Sequence, residues 1–141
     1  EDIGAHSRPF EGIPELLAAL AEAGMGWGIV TNKPSLYAEP LMRRVPLHPA
    51  ARALVCPDHV GVAKPDPAPL WHACRLSGTE PARTLYVGDH RRDIEAARNA
   101  GMPSAAAGWG YLHPDDPAEH WQADHLARDV ATLAQLILPA R

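Results

Sequence analysis

Cysteine is scarce in this 141-residue chain: Cys56 and Cys74 are the only two. That is too few for a disulfide framework, and both sit among apolar residues, so reduced buried thiols in a cytoplasmic protein are expected. No apolar run approaches the roughly 20 residues that span a bilayer, and the first residues do not read as a signal peptide. A membrane partner is therefore not expected. Lys and Arg number 13 against 17 Asp and Glu, a net charge of −4 with no basic stripe or acidic run, which argues against nucleic acid and against disorder. Several motifs are missing too. There is no G-x-x-x-x-G-K-[ST] phosphate loop and no G-x-S-x-G elbow, and Gly-Trp-Gly at 26–28 and 108–110 does not continue as G-x-G-x-x-G. These gaps argue against a P-loop nucleotidase, a serine hydrolase and a dinucleotide-binding protein.

Proline, by contrast, is abundant, with 15 residues placed mostly between periodic segments, as firm turns joining short elements. The length suits one domain, residues 1–141. Ile13, Leu16, Leu17 and Leu20 share one helix face, with Pro14 in the first turn and Gly24 at the stop. Short apolar strands are predicted at 27–31, 53–56, 84–88 and, more weakly, 104–108. Helices are predicted at 34–45, where Pro40 should cap or kink the chain, and at 67–77 and 91–100. A loop rich in Gly, Pro, Asp and His follows from 108 to about 123, and Val130, Leu133, Ala134 and Ile137 mark a last helix. Alternating helices and continuous apolar strands indicate an α/β fold, a Rossmann-like parallel sheet flanked by helices.

In such sheets, ligands bind at the carboxyl ends of the strands. Thr31 and Asn32 follow the first strand, Lys64 lies on the loop after the second, and Asp89 follows the third. A hydroxyl and an ammonium together suit a phosphate, helped by helix N-termini. A carboxylate beside a phosphate needs an intervening cation, so Asp89 reads as a ligand for Mg²⁺, with Asp93 holding a metal-bound water or ordering the loop. Singly, each has a plain reading: a first-turn helix acid for Asp93, an N-cap for Thr31, a solvated lysine for Lys64. Their serial placement after successive strands outweighs those readings. A zinc site from Cys56, His59, His72 and Cys74 has unsuitable spacing, and His113, His120 and His125 read as loop or surface residues.

The segments IVTNKP (29–34), KPDPAPL (64–70) and YVGDHRRDIEAARNAG (86–101) resemble motifs two, three and four of the haloacid dehalogenase-like hydrolases, in the phosphoglycolate phosphatase branch. RPFEGIPELLAALAEAG (8–24) is similar to that branch's segment after the cap domain. The resemblance implies an Mg²⁺-dependent phosphatase of small phosphorylated substrates. Thr31 would bind the phosphoryl group with Asn32 beside it. Lys64 would neutralise the phosphoryl and nucleophile charges. Asp89 would be a metal ligand, and Asp93 a supporting acid behind the metal. His90 departs from the Ser, Asp or Asn common after the Gly-Asp pair. CPDHV (56–60), FEGIPELLA (10–18) and GYLHPDDPAEHWQAD (110–124) look most like N-acetylmuramic acid 6-phosphate phosphatases of bacterial cell-wall recycling.

The family's nucleophile lies in a D-x-D-G-T-like motif whose first Asp attacks phosphorus, and this chain has none; EDIG (1–4) is not one. The family's cap is missing too, and the first residue is Glu1 rather than Met. The expectation is a C-terminal portion of a larger protein, with the missing N-terminal segment as its partner. Without the central strand, 27–31 and 84–88 would share no neighbour and expose unpaired backbone, so the portion is not expected to fold stably alone. A shortened, non-catalytic domain that binds a phosphorylated ligand or a protein is the alternative reading.

Overall fold

The computed structural model describes residues 12–44, 47, 50–109 and 115–138. Residues 1–11, Val45 at the end of a predicted helix, and 110–114 of the predicted loop lie outside these. In chain order the elements are α1 (Ile13–Glu22), β1 (Ile29–Val30), α2 (Ser35–Arg44), β2 (Leu54–Val55), α3 (Pro57–Val60), α4 (Ala68–Ser77), β3 (Tyr86–Gly88), α5 (Arg91–Ala100), β4 (Ser104–Ala107), β5 (His125–Ala127) and α6 (Val130–Ile137). Single 3₁₀ turns occur at Pro81–Arg83 and Ala118–His120.

Among the described residues, every strand pair is parallel. β1 pairs with β2, Ile29 opposite Leu54, while β3, β4 and β5 form a second sheet in that order, with Tyr86 opposite Ser104 and Ala105 opposite His125. Alternation along the strands sends side chains to two helical layers. Leu85 and Val87 join Ala105 and Ala127 against Leu16, Leu17 and Leu20 of α1 and Val130 and Leu133 of α6. On the other face, Val30 and Tyr86 meet Leu70 and Cys74 of α4 and Ala96, Ala97 and Ala100 of α5. Each large buried side chain contributes about 1.5–3 kcal/mol. The alanines let α5 lie close to the sheet, and Gly101, at φ 75°, ends it in a left-handed turn that favours glycine.

Among the described residues, β1 and β3 are not hydrogen-bonded to each other. The amides of Ile29 and Thr31 donate to Ala53 and Val55 of the β2 side. By alternation, the carbonyl of Val30 faces away from β2, toward β3. It accepts there from the Tyr86 hydroxyl at 3.1 Å and from Lys64 Nζ at 3.0 Å. Strands 27–31 and 84–88 were expected to lack a shared neighbour, and side chains rather than backbone join them here.

Two elements depart from the sequence reading. β5 lies in the stretch after the predicted loop, and α3 is a four-residue turn opened by Pro57 and closed by Gly61. α2 agrees with the helix read over 34–45 and runs from Ser35 through Pro40 to Arg44. Its start is pinned by Ser35, whose backbone N–H reaches Asp58 Oδ1 at 2.9 Å and whose hydroxyl also bonds Asp58. Those bonds hold the Asp58 carboxyl below its ordinary range. Among the described residues, no helix is long and apolar enough to cross a membrane.

Candidate active site

The carboxyl ends of β1 and β3 carry Thr31, Asn32 and Asp89, and the loop that follows β2 and α3 brings Lys64 to the same edge. Thr31 leaves β1 with its Oγ1 accepting from the Lys33 amide at 3.1 Å, which keeps its own O–H available to donate. Asn32 clips the Lys64 loop to this strand: its Oδ1 accepts from the Lys64 amide at 2.9 Å, and its Nδ2 donates to the Lys64 carbonyl at 3.1 Å. Two bonds from one side chain fix a residue 32 positions away.

Lys64 is buried, at 9% exposure, and its ammonium enters the gap between β1 and β3. Its three hydrogens meet three acceptors: Asp93 Oδ1 at 2.7 Å, the Tyr86 hydroxyl at 2.8 Å and the Val30 carbonyl at 3.0 Å. The nitrogen also stands 5.4 Å from the centre of the Tyr86 ring. A buried lysine is tolerated only where paired and hydrogen-bonded, and this one is both. Burial, with the Asp93 and Asp89 carboxylates nearby, pushes the Tyr86 phenol well above its ordinary range, so it stays protonated.

Asp93 sits in the first turn of α5 at 4% exposure. While Oδ1 pairs with Lys64, Oδ2 accepts from the amides of Asp89 and His90, each at 3.1 Å. This folds the Gly88–His90 turn over the carboxylate. A Cβ at Gly88 would collide with the Asp93 side chain, with Asp93 Cγ only 2.7 Å away, so glycine is required there by close approach.

Asp89 is the more open carboxylate, its side chain 36% exposed against 6% for Asp93. His90 Nδ1 lies 2.7 Å from Asp89 Oδ1 and 3.9 Å from Asp93 Oδ2. Ligand atoms of Asp89, His90 and Asp93 all fall within 4.8 Å of one another. This set fits Mg²⁺, which takes one or two carboxylates and completes its shell with phosphate and water. Asp89 has oxygen to offer, whereas both Asp93 oxygens are engaged behind it. Cys56, His59, His72 and Cys74 form no such cluster among the described residues. Cys56 is fully buried, and that burial, with Asp58 and Glu39 nearby, pushes its thiol up, toward the inert form.

Three features lay outside the sequence reading. One is Tyr86, hidden as an ordinary strand aromatic. Another is the Lys64–Asp93 pair, whose members are 29 positions apart. The third is a strap. Arg91 of α5 grips Asp116 through Nε at 3.0 and 3.1 Å and through a further bond from its Nη2, which raises the guanidinium pKa further. Trp121, 3% exposed, packs on Ile94 and Ala106, and its indole N–H donates to the Asp116 carbonyl at 3.1 Å. A tryptophan within a polar loop was the one available signal.

The family model described as haloacid dehalogenase-like hydrolase matches residues 1–107. The chain is 55% identical over 118 residues to the N-acetylmuramic acid 6-phosphate phosphatase of Pseudomonas aeruginosa, covering 84% of this chain and 52% of that protein. It is 42% identical over 133 residues to the phosphoglycolate phosphatase of Xylella fastidiosa, covering 94% and 58%. The chain thus spans about half the length of the curated relatives it matches. Among solved structures, a HAD family hydrolase from Deinococcus radiodurans with bound phosphate and sodium superposes with a TM-score of 0.79 at 27% identity, over 93% of this chain and 62% of that one. The parallel strands, the helices on both faces and the matched residues agree: the chain belongs to the haloacid dehalogenase-like hydrolases.

Proposed function

We propose that residues 1–141 are the C-terminal part of a single Rossmann-like phosphatase core, a cytoplasmic Mg²⁺-dependent phosphomonoesterase of small phosphorylated metabolites. On this reading the substrate is N-acetylmuramic acid 6-phosphate or 2-phosphoglycolate, as in the relatives' names. The reaction passes through an aspartyl-phosphate whose nucleophile lies on a segment outside this sequence, inserted as a strand between β1 and β3. The observation that supports it most is the buried Lys64–Asp93 pair, placed at the same edge as Thr31 and the half-open Asp89. Asp93 fixes the position of the Lys64 ammonium at the strand ends, and an ammonium held there suits a phosphoryl group.

Thr31 donates its O–H to a phosphoryl oxygen. Asn32, besides clipping Lys64, lines the same turn and offers its second amide hydrogen to the substrate. Lys64 faces the phosphoryl and nucleophile charges. Asp89 would hold Mg²⁺, which neutralises charge between carboxylate and phosphate when bound, and Asp93 holds Lys64 and the Asp89 turn in place.

The test is phosphate release by the full-length protein from both substrates, with and without Mg²⁺. Metal-dependent release supports the reading; phosphate binding without turnover supports the non-catalytic alternative. Because Lys64 and Thr31 act on the group common to all phosphomonoesters, Lys64→Ala should lower kcat/KM on each substrate by a similar factor, about 10²–10³. Thr31→Val should do likewise, more mildly. A loss confined to one substrate would make that residue a specificity element and contradict this role.

A further inference from the structure

We propose that Tyr86 is a positioning residue for Lys64, and that Tyr86 and Asp93 are the two anchors that leave the third ammonium hydrogen for the reacting phosphoryl centre. The inference rests on the phosphatase reading for its consequence, and on the geometry of this chain for its substance.

The Tyr86 hydroxyl lies 2.8 Å from Lys64 Nζ and 3.1 Å from the Val30 carbonyl. A carbonyl only accepts, so the phenol proton goes to Val30 and a lone pair faces the ammonium. The ring adds a second contact, 5.4 Å from the nitrogen to its centre. Asp93 Oδ1 holds a second hydrogen at 2.7 Å. The third goes to Val30, whose carbonyl is the backbone group that faces the gap between β1 and β3. A strand entering that gap supplies a backbone N–H to that carbonyl, as every parallel ladder does. Lys64 then keeps its side-chain anchors, Asp93 and Tyr86, and its remaining hydrogen turns to whatever the new strand presents. An ammonium aimed in advance costs no reorganisation during reaction, which is where positioning gains rate.

Tyr86→Phe removes the hydroxyl and keeps the ring. In the full-length protein it should lower kcat about ten- to hundredfold, in the range that a misplaced group costs, with KM within about twofold and thermal stability little changed. In a Lys64→Ala background the same substitution should cost almost nothing further, because a residue acting through Lys64 has nothing left to act on. Unchanged kcat in Tyr86→Phe, or an equal loss in both backgrounds, overturns the proposal.

A second readout does not depend on turnover. Residues 1–141 contain only two lysines, Lys33 and Lys64. In full-length protein labelled with ¹⁵N-lysine, Lys64 should give a slowly exchanging ammonium resonance, assigned by its loss in Lys64→Arg. Tyr86→Phe should shift that resonance and speed its exchange. An unchanged resonance overturns the anchoring role. A wild-type protein without phosphatase activity would refute the functional reading, and the spectroscopic comparison would still decide for or against Tyr86 as the anchor.

Discussion

Asp89→Asn should reduce Mg²⁺-dependent phosphate release by the full-length protein about 10²–10³-fold or more, while the protein stays folded. The magnitude follows from losing one charge-stabilising group at a transition state. Asparagine keeps the shape and loses the charge that draws the cation. The side chain of Asp89 is 36% exposed and its oxygens are not the ones that hold the turn; Asp93 does that, accepting from the amides of residues 89 and 90. Stability should therefore barely change, and the Mg²⁺ concentration giving half-maximal activity should rise. Circular dichroism and a metal titration of activity measure both. Normal Mg²⁺ activation in the variant would remove Asp89 from the metal site.

Asp93→Ala should have the opposite signature, with the fold suffering as much as the chemistry. Lys64 and Asp93 are 9% and 4% exposed, and their 2.7 Å contact is the only ion pair among the described residues in which both side chains are buried. Removing one member of a buried pair leaves the other charge uncompensated, at a cost of about 3–5 kcal/mol. The amides of Asp89 and His90 lose their acceptor as well. Urea denaturation should show this loss against wild type, and activity should fall in the molecules that remain folded. Asp93→Asn, which can still accept from the amides, should lie between the two. A loss below about 1 kcal/mol for Asp93→Ala would contradict the view that this pair organises the edge.

The legible parts of the fold were those whose signals are local. Helix 91–100 carries alanines at the right spacing and a glycine just past its end, and it runs from Arg91 to Ala100. Helix 67–77 begins one residue later than read, at Ala68. Strands came out shorter than their apolar runs: 27–31 is ladder only at Ile29–Val30, since β1 pairs on one side alone. β5 escaped notice because three residues with an exposed histidine show no usable alternation. The candidates Thr31, Lys64, Asp89 and Asp93 stand out in the sequence because each comes soon after a predicted strand. What joins them does not. The Asn32 clip spans 32 positions and the Lys64–Asp93 pair 29, and only the packed sheet brings such residues together. Tyr86 was obscured by the commonness of strand aromatics, and Arg91–Asp116 by the plainness of charges in a loop.

The central claim is that this chain grips a phosphoryl group and that the attacking carboxylate comes from elsewhere in the protein. Asp93 is buried against Lys64, and on the proposed reading Asp89 holds the metal ion, a role that leaves it unavailable to attack phosphorus. The direct measurement is phosphate release from N-acetylmuramic acid 6-phosphate and from 2-phosphoglycolate, with Mg²⁺, by the 141-residue polypeptide and by the full-length protein. The account predicts no turnover by residues 1–141, verified by mass, and Mg²⁺-dependent hydrolysis once the preceding segment is supplied in cis or as a separate chain. Metal-dependent turnover by the 141-residue chain alone would place the nucleophile within it and contradict the account.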